Sequence, residues 1–285
     1  MFRRAVAIAV LLCAPAHGFA QTTVTLQGLP GTATVAAAED FATRNFQDPW
    51  DMNERTDFGW FLNGSDQPLP QLSNPSFSSG IFSATTQTSP NLFLLDTGNP
   101  NAARIGKTGT VYPIDANTYR LVAIRMNING SPQATLDWNQ TNLWDGTDTS
   151  SNVFTLSPGW RTYLIDLPTL GTRSGPLSWS GLIRVLRLYP SFQTPFNLQI
   201  DWIRLVNVNS SLCRQVTWSG FSGAVDLYLV SSSVETLLAT GVSSNSASAG
   251  CTGAGSGYNF YAGALAPGTY QVRATEPQEA DEVRR

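Results

Sequence analysis

The chain has 285 residues, of which 42% are hydrophobic, 11% aromatic and only 13% charged, and its formal net charge is -3. A typical globular chain is roughly 25% charged, so this composition, rich in Gly, Pro, Ser, Thr and Asn, points to an all-β extracellular protein and away from a cytosolic enzyme. Nucleic acid binding is disfavoured too: neutralising phosphates takes clustered Lys and Arg, and the one lysine is Lys107.

The N-terminus, MFRRAVAIAVLLCAPAHGFA, has the three parts of a secretory signal over 1–20. Arg3 and Arg4 are the charged region, Ala5–Leu12 the apolar one, and Gly18-Phe19-Ala20 set small residues before a cut at Gln21. The apolar stretch is too short to span a bilayer, and no later segment reaches about 20 apolar residues. A secreted, periplasmic or cell-surface location is expected. Cleavage would also remove Cys13 and His17, leaving no histidine and two cysteines, Cys213 and Cys251. In an oxidising compartment two such cysteines read as a disulfide.

From 21 to 209, short β-type runs alternate with Gly/Pro/Asn/Ser clusters. TVTLQGL, TYRLVAIRMNI, ATLDW, WRTYLIDL, LIRVLRLYP and FNLQIDWIRLVNV read as strands. In TYRLVAIRMNI, Leu121 and Ala123 point one way and Val122, Ile124 and Met126 the other, so both faces are apolar, as in a packed double sheet. From 210 to 275, RQVTWSG, AVDLYLVSS, TLLATGV, YNFYAGAL and TYQVRA read as strands of a smaller sandwich. APGTYQVRA looks like the closing strand of an immunoglobulin-like domain, whose small core the disulfide would support. The charged, apolar-poor tail 276–285 is expected to be disordered.

The absence of histidine after residue 17 excludes Ser-His-Asp and Cys-His catalysis and histidine-held zinc or copper. No phosphate-cradling glycine loop is present. Glycoside hydrolysis needs only two carboxylates and stays open, as does a Tyr/Arg lyase.

The densest cluster of acids and aromatics is AAAEDFATRNFQDPWDMNERTDFGWF at 36–61; Asp201 lies at the far end of the same region, in LQIDWIRL. If the ends of the region lie side by side, these acids could converge on calcium, which takes six to eight oxygen ligands. EDF near the start and IDWIRL at the end resemble the carbohydrate-binding modules of the galactose-binding-like jelly-roll superfamily, over roughly 36–206. That resemblance implies a jelly-roll β-sandwich with a structural calcium held by Glu39, Asp40 and Asp201. Here the acids sit in a long DPWDMNE segment and not in a compact strand. Without a metal, Asp201 would be a buried carboxylate accepting hydrogen bonds from N–H groups or Arg.

Sugar binding needs flat aromatic faces beside polar groups. LDWNQTNLWDGTDTS at 136–150 offers Trp138 and Trp144 with Asn139 and Asp145; Trp60 and Tyr112 are further candidates. Trp160, Trp179 and Trp202 lie in strand-like apolar surroundings and read as core. Arg120, Arg125, Arg184, Arg187 and Arg204 recur within strands, either as salt-bridged positions or as a face suited to an acidic glycan. The whole reads as a secreted, monomeric, two-domain all-β protein that binds polysaccharide without cleaving it. A polysaccharide lyase or glycosidase and a surface structural protein are the alternatives.

Overall fold

The computed structural model describes residues 21–26, 32–57, 59, 71–87, 90–95, 109–130, 132–141, 148–190, 195–218, 221, 223–231, 234–253 and 257–277, with 21–36 as backbone alone. The expected signal segment, most of the tail, Trp60, Trp144 and Asp145 lie outside the described residues.

The elements in chain order are β1 (Gln21–Leu26), β2 (Thr32–Ala36), α1 (Phe41–Phe46), β3 (Leu72–Ser78), β4 (Ile81–Thr86), β5 (Leu92–Leu95), β6 (Ile114–Asp115), β7 (Tyr119–Ile128) and β8 (Gln133–Asn139). There follow β9 (Thr149–Ser151), β10 (Phe154–Thr155), β11 (Gly159–Asp166), α2 (Leu167–Leu170), β12 (Thr172–Ser174), β13 (Leu182–Ile183), β14 (Val185–Tyr189) and β15 (Phe196–Asn207). The C-terminal region adds β16 (Cys213–Val216), β17 (Val225–Ser231), β18 (Val234–Val242), β19 (Ser246–Ala247), β20 (Tyr258–Tyr261) and β21 (Thr269–Thr275).

Two layers make a jelly-roll β-sandwich. The smaller sheet runs β12-β9-β8-β14-β5, with β10 beside β8; the larger runs β2-β1-β21-β17-β18-β11-β7-β15-β4-β3. Between them lies a core of Phe82, Val122, Ile124, Met126, Leu136, Trp138, Leu186, Leu188, Leu198, Ile200, Ile203 and Leu205, among others. The hairpin β3–β4 closes through Ser79 (φ 54°) and Gly80 (φ 72°), the paired left-handed residues that a two-residue turn of the I′ type requires.

The central strands are buried on both sides. Leu121 and Ala123 of β7, with Trp202 and Val206 of β15, face a second core built with Val225, Leu227, Phe260, Tyr261 and Val272. The apolar alternation in TYRLVAIRMNI therefore serves two cores at once. In β15 the alternation carries an insertion. Leu198 and Ile200 face the first core, but so do Ile203 and Leu205. The pairing with β7 shifts between Ile200↔Met126 and Trp202↔Arg125, so Asp201 is the extra residue of a β-bulge. One residue with no partner of its own reverses the facing of everything after it, and this turns Trp202 into the second core.

Strand pairing crosses the expected boundary at 209/210 in two places. β1 and β2 join the larger sheet through the C-terminal strands: β1 lies parallel to β21, with Thr23↔Thr269 and Leu26↔Val272 in register. Strands β16–β21 do not close a sandwich alone, since β18 joins β11 and the second core is completed by the outer face of β7 and β15. Too few residues lie in 210–275 to enclose a core, and an existing apolar sheet face supplies the missing wall. Arg204 holds the junction. Its buried guanidinium donates to Gly263 O at 2.9 Å, to Leu265 O, and to Ala38 O at 2.8 Å. Burial lowers its pKa, while nearby Asp40 acts in the opposite sense. The Cys213–Cys251 disulfide, expected from the sequence, closes a separation of 38 residues in the same region.

Candidate functional site

The segment before β3 lies against β15, as the calcium expectation requires. Beyond the bulge the neighbouring positions beside β15 are taken by bridges Asp40↔Val206 and Trp50↔Ile203, with Ile203 N donating to Trp50 O at 2.8 Å. The three expected metal ligands nevertheless stay apart. Asp40 caps α1: one carboxylate oxygen accepts from Thr43 N at 3.1 Å and Thr43 Oγ1 at 2.8 Å, the other from Leu205 N at 3.0 Å. Glu39 pairs with Arg44, and Asp201 with Arg125. Asp201 and the Leu205 amide that holds Asp40 are four residues apart on one strand, about 13 Å at roughly 3.3 Å per residue. Short-range capping and ion pairing satisfy these acids without a metal.

A different set of acids converges. Asp48, Asp51 and Asp57 place carboxylate oxygens within 4.8 Å of one another. Local turns fold them together: Asp51 accepts from Asn53 N at 3.3 Å and Asn53 Nδ2 at 2.7 Å, and Asp57 from Glu54 N at 3.3 Å. Asp57 is fully buried. Burial, with Asp48 alongside, raises the Asp51 carboxyl above the usual range. An all-oxygen, anionic donor set of this kind fits a hard cation such as calcium.

The expected sugar-binding residues fare unevenly. Trp138 is 0% exposed. Its indole N–H donates to Ser178 O at 3.3 Å, and its ring meets Trp179 edge-on at 5.5 Å. It offers no face to a ligand, because its position in β8 points into the first core. Tyr112 is half-buried and packs against Phe46 at 5.3 Å. Asn139 is also fully buried, yet its role bears on the same loop: Nδ2 donates to Asp148 Oδ1 at 2.8 Å, while Oδ1 accepts from Thr141 N at 2.8 Å and Thr141 Oγ1 at 2.9 Å. One amide thus bonds both Thr141 and Asp148; residues 142–147, with Trp144 and Asp145, lie outside the described residues. Trp179 and Trp202 are core as expected, whereas Trp160 is half-buried and belongs to neither core.

On the face of the smaller sheet turned away from the core, Arg187, one of the strand arginines noted in the sequence, gathers acids and rings around it. Arg187 of β14 pairs in register with Asp137 of β8 and Phe93 of β5. It donates to Asp148 Oδ2 at 2.8 Å, lies 3.7 Å from Asp137 Oδ2, and sits 5.6 Å from the Phe93 ring and 5.5 Å from the Tyr189 ring. Arg187 is only 3% exposed. Burial raises the Asp137 pKa; Ser150 and Arg187 oppose the shift without cancelling it. Asp137 Oδ1 and Thr135 Oγ1 are buried without a well-formed hydrogen bond among the described residues. The available signal was the alternation in ATLDWN and VLRLY: once Trp138 and Leu188 point inward, Asp137, Arg187 and Tyr189 must point outward.

No protein-family model and no curated protein matches the chain. Among solved structures it is similar to a point mutant of a family 29 carbohydrate-binding module, at 9% identity and a TM-score of 0.30, over 52% of this chain and 89% of that one. It is also similar to the family 11 carbohydrate-binding module from Clostridium thermocellum in complex with a β-1,3-1,4-mixed-linked tetrasaccharide. The values there are 14% identity and a TM-score of 0.34, over 55% of this chain and 92% of that one.

Proposed function

We infer that this chain is a secreted polysaccharide-binding protein that does not cleave its ligand, and that it binds on the outer face of the smaller sheet. The observation carrying this reading is the Arg187 cluster. The partly exposed Phe93 and Tyr189 rings, held around the buried and ion-paired Arg187, offer apolar ring faces, with the partly exposed Asp148 carboxylate beside them, within one patch. Asp137 and Thr135, buried beside one another on this face, back the patch from beneath. Trp144 and Asp145, the ligand contacts expected from the sequence, are assigned to the same site. Secretion is supported by the signal-like N-terminus and the disulfide. Retention on a panel of immobilised plant, algal and microbial polysaccharides tests the reading. Tyr189→Ala and Trp144→Ala should each weaken it about tenfold, the effect of roughly 1.4 kcal/mol of lost stacking. Retention unaffected by both removes the site; released oligosaccharide makes the protein an enzyme; neither retention nor product leaves the structural role.

Calcium in this reading is structural and held by Asp48, Asp51 and Asp57, where it would offset three adjacent negative charges. Calcium should then raise the melting temperature and a chelator lower it, and Asp57→Asn should abolish the difference. Identical melting curves with and without chelator would discard the metal.

A further inference from the structure

The outer face of the larger sheet is divided. The second core covers one half; the other half carries a groove. On that half Gln199 of β15 lies in register with Ser83 of β4 and Asn127 of β7, and Asn197 lies beside Thr85. Their side chains bond across the strands. Asn127 Nδ2 donates to Gln199 Oε1 at 2.8 Å, Gln199 Nε2 to Ser83 Oγ at 3.4 Å, and Thr85 Oγ1 to Asn197 Oδ1 at 3.1 Å. These groups line a groove of about 440 Å³ with no charged side chain among the described residues of its lining. Sites for small ligands run from roughly 300 to 1,000 Å³.

Trp160 of β11 stands opposite Asn127, so the indole is on the same face as the amides. It is braced there: Arg125 lies over the ring at 4.6 Å, pairs with Asp201, and donates from Nε to Thr236 Oγ1 at 3.1 Å. This cation beside the groove is thus neutralised by the carboxylate that the bulge in β15 turns towards it.

We propose that this groove is a second saccharide site, separate from the smaller sheet, and that it takes an uncharged oligosaccharide stacked on Trp160. Amides and hydroxyls donate and accept as sugar hydroxyls do, so a glycan can exchange for the cross-strand bonds with little loss. The uncharged lining gives no purchase to uronate or phosphate, and the polar floor gives none to a lipid. The ligand class rests on the polysaccharide-binding reading; the site does not.

The test uses the full mature chain and neutral hexasaccharides of glucose, mannose, xylose and galactose, with hexagalacturonate as the acidic control. ¹⁵N side-chain amide resonances of Asn127 and Gln199 report the groove. At least one neutral hexasaccharide should shift them and the acidic one should not. Tyr189→Ala should leave those shifts in place. Trp160→Ala should weaken the groove affinity about tenfold, and Gln199→Ala, at a half-buried polar position, gives a second reading in a folded chain. Binding that moves only smaller-sheet resonances overturns the groove and leaves the polysaccharide reading standing. Loss of all binding in the groove variants alone keeps the groove and removes the smaller-sheet site. No hexasaccharide binding anywhere overturns both.

Discussion

The two cores lie on opposite sides of the same pair of strands, β7 and β15, and they are held together differently. The first is closed by two full sheets and filled with aliphatic and aromatic side chains, including two fully buried tryptophans, Trp50 and Trp138. The second is smaller, takes one wall from the first domain's sheet, and adds a disulfide and a buried arginine. A core too small to supply its own stability through burial relies on covalent and polar ties.

Breaking each core in its own manner tests this contrast. Trp138→Ala should cost about 3–5 kcal/mol, the usual cost of emptying a large aromatic site, and denaturant unfolding would measure it. A cost under about 1 kcal/mol would return Trp138 to the list of surface residues. Cys251→Ser should remove about 4 kcal/mol, the loop-closure value for a 38-residue separation, and should expose second-core tyrosines before first-core tryptophans. Simultaneous loss of both signals would mean that the cores unfold as one unit. Arg204→Met should cost about 3 kcal/mol, since buried carbonyls of Ala38, Gly263 and Leu265 lose their donor; hydrogen exchange should rise at the 263–265 turn.

The smallest effect concerns pH. Asp137 has a raised folded pKa, so the folded state holds its proton more tightly than the unfolded chain does. Stability from this group is present below the unfolded value of about 4 and is lost as pH rises through the folded pKa. Asp137→Asn should flatten that decline in melting temperature as pH rises above about 4. An unchanged slope would assign it to other carboxyls, Asp51 first.

Much of the fold was legible in the sequence because alternation and turn residues are local. TYRLVAIRMNI and FNLQIDWIRLVNV became β7 and β15 with nearly the expected bounds. Strands β3, β4 and β5 went unread: Ser and Pro interrupt the apolar pattern of β3, and β5 is only four residues long. The candidate site was half legible. DWNQTNLWDG begins in β8, where Asp137 faces away from the core, but at Trp138 and Asn139 the sequence does not say which parity faces the core.

The sequence by itself determined an all-β chain, strands apolar on both faces, and a cysteine pair able to bridge. Tertiary structure alone decided which core each face entered, that β1 pairs with β21, and that Trp138 turns inward while Trp160 stays out. Alternation fixes only relative facing; absolute facing depends on what is packed above and below. In LQIDWIRL the local pattern even misleads, because the bulge at Asp201 reverses it. That carboxylate, which the resemblance cast as a calcium ligand, pairs with Arg125, and Trp202 beside it enters the second core.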